Sequence, residues 1–291
     1  MPDHDFSPDR LGELLDQFRI RARLFHAGSL CGHQHFAAEP GRAFMHVLRH
    51  GELEVQHPGV DGKLTQVRLQ EPSLLFYARP VAHSFIHAPE ESADFVCATL
   101  EFDGGDENPL VQALPPVLIL PLAQCRGLEK TLELLFAETE AVACGSALLA
   151  GRLFEVLLVQ LLRWLLQYPQ QAGIQRGMLA GLADPRLAKV ILAMHRDPAA
   201  DWTLERMAGT AAMSRSAFAA SFKTITGSTP AAYLSDWRLT RAISLMRSGK
   251  PLAVVAAACG FAGQSSLNKA FRLRYGCAPG AWLRQQREQK T

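Results

Sequence analysis

The chain has 291 residues, 48% of them hydrophobic, and a formal net charge of +2. This length allows about two domains with a substantial buried core. The start lacks a signal-peptide pattern and the six cysteines lack paired spacing, so we expect a cytoplasmic protein without a disulfide framework. The most apolar stretch, residues 147–168, contains Arg152, Glu155 and Arg163. Because charged side chains are costly in hydrocarbon, we predict a buried or partner-facing helix here and no membrane span.

The two ends of the chain differ in charge. Residues 184–291 carry 16 Lys and Arg against 6 Asp and Glu, whereas residues 1–183 carry 14 against 22. A basic segment joined to an acidic one indicates two different tasks, one of them performed on a polyanion.

The first part of the chain has the pattern of short strands. Five runs rich in β-branched and aromatic residues are separated by Gly, Pro and acidic clusters, and the series ends near residues 103–109. The runs are LFHAGSLCGHQHF, AFMHVLRHGELEVQHPG, LTQVRL, SLLFYA and DFVCATLEF. Short strands at this spacing predict an antiparallel β-barrel or sandwich.

From about residue 126 the hydrophobic period becomes helical. Leu153, Leu157, Leu161 and Trp164 follow helical spacing, with apolar residues nearly all the way round, as expected of a core or oligomer helix. Residues 168–177 contain Pro and Gly and form a predicted linker. Beyond it, five short amphipathic segments predict an all-helical domain.

An internal repeat occurs in this helical part. Residues 213–234 match residues 262–283 at an offset of 49. The matched pairs include Phe222 with Phe271, Lys223 with Arg272, Gly227 with Gly276, and Pro230 with Pro279. The same small unit is therefore present twice.

Each copy reads as a helix-turn-helix. A short helix, 204–211 or 252–259, leads through a turn to a second helix, 215–225 or 264–275, which stops at Gly before Pro. In such units the second helix enters the major groove of DNA. Two units joined by one helix over 230–247 would reach successive major grooves, roughly 34 Å apart. A basic helical domain with a merely solvated surface is the alternative, and the repeat argues against it.

A further pattern spans the second half of residues 184–291 and consists of Trp237-Arg238-Leu239, Ala242, Leu245, Val255-Ala256, Gly260-Phe261, Ser265, Leu267, Phe271-Arg272 and Gly276-Cys277-Ala278-Pro279. Through this pattern, residues 184–291 resemble the C-terminal DNA-binding domain of the AraC family of transcription regulators. The segments PGRAFMHVLRHGELEV, EPSLLFYARPVAH and DFVCATLEFDGG resemble the cupin-type sensor domain of one branch of that family. Together the two resemblances cover nearly the whole chain.

The resemblance implies an α+β multidomain chain in three segments. An antiparallel cupin-like β-barrel over residues 1–125 precedes a helical dimerisation and linker segment over 126–176. An all-α DNA-binding domain with two helix-turn-helix units follows over 177–291. The implied partners are promoter DNA, RNA polymerase and a second copy of the chain, and the cupin domain would sense a signal.

The resemblance also assigns the residues that face DNA. In the first unit they are Ser214, Arg215, Ser216, Ala219, Ala220 and Lys223. In the second unit they are Gln264, Ser265, Ser266, Asn268 and Lys269. The second set can pair with base edges, whereas the two alanines of the first leave mainly phosphate contacts and DNA shape. Phe218, Phe222, Leu267 and Phe271 lie on helix faces that predict a core role.

The signal chemistry stays open between three hypotheses. A zinc or other divalent metal ion would use His46 and His83, which match the cupin strand register, or His33 and His35, which have the His-x-His spacing. A thiol sensor would use Cys31 and Cys97. An organic effector pocket, or a domain with no special chemistry, is the third hypothesis.

These features favour a sequence-specific DNA-binding regulator and no enzymatic activity. A metal-dependent cupin enzyme with an accessory DNA-binding domain is the main alternative, although no nucleophile–base pair or Gly-rich phosphate-binding motif occurs. A further alternative is an architectural DNA-binding protein whose cupin is only a dimerisation scaffold.

Overall fold

The structure is a computed structural model that describes residues 9–15, 19–59, 62–87 and 93–288. The chain divides into two compact units. One runs from Leu15 to Ile174, and the other joins the described residues before Leu15 to those from Gln175 onward. The helical segment after residue 126 therefore lies in the same unit as the strands. The division differs from the three predicted segments, because the first helix packs with the C-terminal helices.

Nine strands form the first unit among the described residues. They are β1 (Ile20–Leu30), β2 (His33–Phe36), β3 (Arg42–His50), β4 (Leu53–Pro58), β5 (Leu64–Leu69), β6 (Ser73–Tyr77), β7 (His83–Ile86), β8 (Ala93–Phe102) and β9 (Val117–Pro121). A five-stranded sheet has the order β1-β8-β3-β6-β9, and a four-stranded sheet has the order β2-β7-β4-β5. All pairings are antiparallel.

The predicted barrel is a two-sheet sandwich. Among the described residues no ladder joins the two sheets, so β1 and β9 end one sheet and β2 and β5 end the other. An antiparallel β architecture is confirmed, but closure is not, because a barrel requires every strand to pair on both edges.

The core of the sandwich lies between the sheets. It is built by side chains that alternate along each strand, such as Leu53 and Val55 of β4 and Phe95 and Cys97 of β8. Strand β3 is buried on both faces, with Phe44, His46 and Leu48 on the side predicted to face inward. Its nearly continuous apolar sequence follows from this double burial.

Three α-helices complete the first unit over the described residues: α2 (Pro109–Ala113), α3 (Glu129–Glu140) and α4 (Ser146–Gln167). Both α3 and α4 contact β1. Helix α4 buries one broad apolar face that includes Phe154, Leu158 and Leu161. No described helix is both long enough and apolar enough to cross a bilayer.

The second unit is all-helical over the described residues. Its helices are α1 (Arg10–Leu15), α5 (Met178–Ala183), α6 (Pro185–Arg196), α7 (Leu204–Thr210), α8 (Arg215–Thr226), α9 (Pro230–Arg247), α10 (Leu252–Ala258), α11 (Gln264–Tyr275) and α12 (Pro279–Glu288). Helix α1 buries Leu11 and Leu14, and Arg10 donates to the carbonyl of Leu182 at 2.9 Å. The predicted pair of helix-turn-helix units is confirmed as α7/α8 and α10/α11, with α9 between them.

The two recognition helices end in the same way. Gly227 and Gly276 follow α8 and α11 with φ of 81° and 74°, a left-handed conformation that glycine adopts without a Cβ penalty. Pro230 and Pro279 then begin the next helices. The sequence repeat is thus a repeat of helix stop and start signals.

Candidate DNA-binding surface and histidine site

The first recognition helix, α8, presents a mostly exposed reading face. Ser214, Arg215, Ala220 and Lys223 are exposed, and Ala219 is half-buried. Ser214 is also the N-cap, since its hydroxyl accepts from the backbone N–H of Ala217 at 3.3 Å. The helix therefore offers cations at its two ends and methyl groups at its centre, which favours phosphate contacts and thymine-methyl contacts over hydrogen-bond readout.

The second recognition helix, α11, is richer in hydrogen-bonding groups. Gln264, Ser265 and Lys269 are exposed and Asn268 is half-buried. Ser266 is already engaged at the start of the helix, because its hydroxyl donates to the Gly263 carbonyl at 2.8 Å and accepts from the Gly263 N–H at 3.2 Å. Its role here is capping, whereas the other four side chains are available to a base edge or a phosphate.

The turns of the two units differ in length. Four residues separate α7 from α8, and five separate α10 from α11. Each turn has a left-handed residue at the same place, which is Ala212 with φ of 53° in the first unit and Gly260 with φ of 73° in the second. The sequence offset of 49 aligns the two recognition helices but not the helices that precede them. It therefore does not reveal the extra residue in the second turn.

The side chains predicted as core are buried. Phe218, Phe222, Leu267 and Phe271 have no measurable exposure, so they brace the recognition helices and do not reach DNA. Each pair sits on the inner face of its helix, four residues apart in sequence, as the periodicity predicts.

An apolar cavity beside α8 was not foreseen from the sequence. Its volume is about 460 Å³, and Trp202, Leu204 and Met207 form one wall while Ala219 and Ala220 form another. Leu204 is exposed, and the Cζ atom of Arg206 lies 4.6 Å from the centroid of the Trp202 ring. The apolar character of the first reading face thus extends from its two alanines to the preceding helix. The hydrophobic period of a single helix does not indicate such a surface, because two helices form it together.

In the sandwich, two of the predicted histidines meet. The Nε2 atoms of His46 and His83 lie 2.9 Å apart, and both side chains are buried. His83 Nδ1 lies 2.9 Å from the carbonyl of Val81, which can only accept, so this nitrogen carries the proton. The neutral His83 therefore accepts at Nε2, and His46 donates from Nε2.

The same geometry keeps both rings uncharged. Burial lowers the pKa of His46 well below its ordinary value, and the neighbouring His83 lowers it further. Burial likewise lowers the pKa of His83 to about 4, although the Val81 carbonyl opposes this. A second proton on His83 would place two N–H donors face to face in a dry interior, and a second proton on His46 would lie on Nδ1, which has no partner within the described ranges.

Aromatic rings enclose the histidine pair. Tyr77 is stacked on His83 with ring centroids 3.8 Å apart, and Phe36 lies 4.9 Å from both imidazoles. Among the described atoms, neither His46 Nδ1 nor the Tyr77 hydroxyl has a hydrogen-bond partner. Tyr77 and Phe36 were not identified from the sequence. The alternation of side chains along their strands could have indicated that both point inward.

The other predicted sensor residues do not join this pair. His33 and His35 lie on the exposed face of β2, and Phe36 occupies the inner face. His33 and His35, the alternative metal ligands, therefore do not join His46 and His83, because side chains alternate along a strand and β2 turns these histidines outward. His35 Nδ1 instead lies 3.0 Å from the Ser84 hydroxyl.

The two candidate redox cysteines are far apart. Cys97 is buried opposite His46 and His26, whereas Cys31 is exposed just beyond the end of β1. Cys31 lies five positions after His26 along the chain, which is about 16 Å at 3.3 Å per residue. A disulfide needs Cα atoms within about 7 Å, so this fold does not allow a direct bond between them. Burial also raises the pKa of the Cys97 thiol.

A zinc ion fits this site poorly. Zinc requires three or four ligands at about 2.0 to 2.3 Å. His46 and His83 supply two imidazoles, and within the described ranges no group of three or more His, Cys, Asp or Glu side chains could hold a metal ion. The buried rings are hydrogen-bonded to one another and are surrounded by aromatic carbon.

Two family models match the chain. A cupin family matches residues 9–167, and a helix-turn-helix domain family matches residues 207–285. The first model includes α3 and α4 with the strands, in agreement with the unit that the structure forms.

Relatives and solved structures resemble the chain as follows. It is 37% identical over 174 residues to an AraC-like transcription regulator of Streptomyces antibioticus, covering 59% of this chain and 57% of that protein. It is 29% identical over 259 residues to the RCS-specific HTH-type transcriptional activator RclR of Escherichia coli K12, covering 87% of this chain and 88% of that protein. The DNA-binding domain of AdpA, solved with a target DNA, is 30% identical with a TM-score of 0.34, covering 35% of this chain and 93% of that chain.

The match to the Streptomyces relative spans little more than half of that protein's length. The cupin match covers more than half of this chain, and the helix-turn-helix match includes both recognition helices. The chain belongs to the AraC family of helix-turn-helix regulators, in the branch that carries an N-terminal cupin domain.

Proposed function

We propose that the chain is a sequence-specific DNA-binding transcription regulator in which the cupin unit receives a signal and the helical unit binds promoter DNA. The observation that carries this proposal is the pair of helix-turn-helix units with exposed reading faces, in a segment with 16 basic and 6 acidic residues. Basic groups bind phosphates, and the polar face of α11 suits base readout.

The test is binding to DNA selected from a random duplex library. Selected duplex should bind far more tightly than scrambled duplex, and the logarithm of its binding constant should fall linearly with that of salt concentration. If the protein shows no sequence preference at moderate salt but turns over a substrate when loaded with metal, the cupin-enzyme alternative replaces this proposal. Equal binding to all sequences would favour the architectural alternative.

We also propose that the chain acts as a homodimer through α4, as the family resemblance implies. Leu149 and Val156 of α4 are 48% and 44% exposed and lie on one side of the helix, seven residues apart. Glu at both positions should shift sedimentation toward monomer. The control is Val142→Glu, because Val142 is 82% exposed but precedes the helix. An unchanged dimer in the double variant would reject α4 as the interface.

The proposed signal is an oxidant that reacts at Cys31. Cys31 is an exposed thiol in the sandwich unit. The Escherichia coli relative RclR, which is named an RCS-specific activator, aligns with 87% of this chain. With hydrogen peroxide, the Cys31 thiolate would form a sulfenic acid as peroxide is reduced to water. Cys31→Ser should abolish the peroxide-dependent change in DNA affinity, and Cys144→Ser, at another exposed cysteine, should preserve it. The same response in both variants would exclude Cys31.

RNA polymerase is the remaining proposed partner. A regulator bound at a promoter alters transcription through contact with polymerase or through occlusion of its site. Transcription from a selected-site template with purified polymerase distinguishes these routes: the yield rises with the first and falls with the second. No change in yield would limit the chain to DNA binding alone.

A further inference from the structure

A groove outside the sandwich interior runs along the free edge of β1 beside α4. Its volume is about 670 Å³, within the range of small-molecule sites. Strand β1 ends the five-stranded sheet, and within the described ranges no further strand pairs with this edge. The groove lies wholly within the first unit.

The helix is fixed closely to the strand at this point. Glu155 Oε1 accepts from the backbone N–H of Ala22 at 3.2 Å and also binds Arg152. One turn earlier, a Cβ on Gly151 would lie 2.7 Å from the Ala22 carbonyl oxygen. Glycine at this position therefore permits the close approach that forms the wall of the groove.

The groove concentrates positive charge. Arg21 and Arg23 alternate along β1, and Arg19 directly precedes the strand; all three are exposed and line the groove together with Arg152. Alternate residues of a strand share a face at a spacing of about 6.6 Å. The first unit has an acidic sequence, yet in the described ranges no acidic side chain forms an ion pair with Arg19, Arg21 or Arg23.

The neighbouring acids are already engaged. Glu101 pairs with Arg21 in the strand register, but its carboxylate lies 3.7 Å from Arg42 Nε. Glu155 binds Arg152 at 2.8 Å. The lining residues thus include four arginines and one glutamate, and the first turn of α4, where Leu148 lies, adds the positive end of a 22-residue helix.

We propose that this groove binds a small molecule that carries two or more oxyanion groups, either carboxylates or phosphates. Guanidinium forks bind both groups with paired hydrogen bonds, and a row of arginines recognises anionic groups spaced along one molecule. Leu148 supplies an apolar contact for the carbon skeleton between those groups. The site belongs to the first unit and does not include the histidine pair, and the proposal does not depend on the function proposed above.

Calorimetric titration of the full chain with citrate, pyrophosphate and acetate at matched ionic strength tests this site. Citrate or pyrophosphate, or both, should bind with one site per chain, and acetate should bind more weakly by about tenfold or more. Saturation by citrate alone identifies a polycarboxylate, and saturation by pyrophosphate alone identifies a phosphate ligand. If neither saturates, or acetate binds equally well, the proposal is wrong.

A charge-matched pair of variants locates the site. Arg21→Gln with Arg23→Gln should lower the affinity about tenfold or more. Arg68→Gln with Arg126→Gln removes the same charge from exposed positions of the same unit, outside the groove, and should leave the affinity within about twofold. Unfolding curves check that all variants fold. Equal losses in the two pairs would indicate general charge attraction and overturn the proposal.

Discussion

His46 and His83 approach Nε2 to Nε2 at 2.9 Å across the interior of the sandwich, one from each sheet. The contact is a single hydrogen bond whose direction is set by the Val81 carbonyl at the far side of His83. It joins β3 to β7 through polar groups in a core made mainly of aliphatic and aromatic side chains. An imidazole in such a place must find its partner within the protein.

The two histidines should be energetically coupled. His46→Leu or His83→Leu alone leaves the other ring buried without its partner, which should lower the free energy of unfolding by about 1 to 3 kcal/mol. The double variant H46L/H83L should lose less than the sum of the two, by about 1 kcal/mol. Urea denaturation of the four proteins measures this difference. Strict additivity would mean that the imidazoles do not interact.

Acid should destabilise the sandwich before its carboxylates titrate. The folded pKa of both histidines lies below the ordinary value of 6.5, so the unfolded chain binds more protons as pH falls below 6.5. The stability that the two neutral histidines contribute is fully present above pH 6.5 and is lost as pH falls toward about 4. The loss is about 1.4 kcal/mol per pH unit for each proton taken up. The free energy of unfolding should therefore fall more steeply with decreasing pH in the natural protein than in H46L/H83L. Denaturation curves recorded across this pH range measure it. Equal slopes would assign the acid sensitivity to other groups.

The two left-handed turn residues predict opposite effects of exchanging Ala and Gly. Ala212→Gly relieves a Cβ at φ of 53° and should stabilise the helical unit by up to about 1 kcal/mol. Gly260→Ala adds a Cβ that would lie 2.7 Å from Ala199 Cα, and should destabilise it by about 2 kcal/mol or more. Thermal unfolding of the two variants provides the measurement. Effects of the same sign would contradict the turn conformations described here.

Glycines in helices offer a second matched comparison. Gly151→Ala should destabilise the sandwich by about 1 kcal/mol or more, because the clash with the Ala22 carbonyl outweighs the gain in helix propensity. Gly209→Ala in α7 meets nothing within 4 Å and should stabilise by up to about 1 kcal/mol. Urea denaturation of each variant measures both effects. A stabilised Gly151→Ala would show that α4 does not lie against the edge of β1.

The two recognition helices should respond differently to loss of a lysine. Lys269→Ala on α11 should weaken binding to the selected sequence by about 1 to 3 kcal/mol and reduce discrimination against scrambled DNA. Lys223→Ala on α8 should weaken binding to all sequences alike, with a smaller salt slope. Lys189→Ala, an exposed lysine of α6, is the control. Titrations at several salt concentrations separate the cases, and an unchanged specificity for Lys269→Ala would remove it from base readout.

The helical half could be predicted closely from its sequence. Helix starts and stops are local signals, so Ser214, Gly227 and Pro230 fix the bounds of their helices wherever the chain lies. The sequence did not reveal that the two turns differ in length by one residue. An insertion in a turn leaves the hydrophobic period of the helices on either side unchanged.

In the other half, the sequence determined a strand pattern, and the cupin register favoured His46 with His83, but the pattern by itself did not decide between this pair and His33 with His35. Alternation tells which residues share a face, whereas the neighbour of each face depends on pairing between distant strands. His33 and His35 had the more suggestive spacing, yet β2 directs Phe36 inward and leaves both histidines exposed. Only the tertiary structure places His46 against His83, and sets Glu155 and Gly151 on Ala22, because these contacts join residues 37 to 133 positions apart.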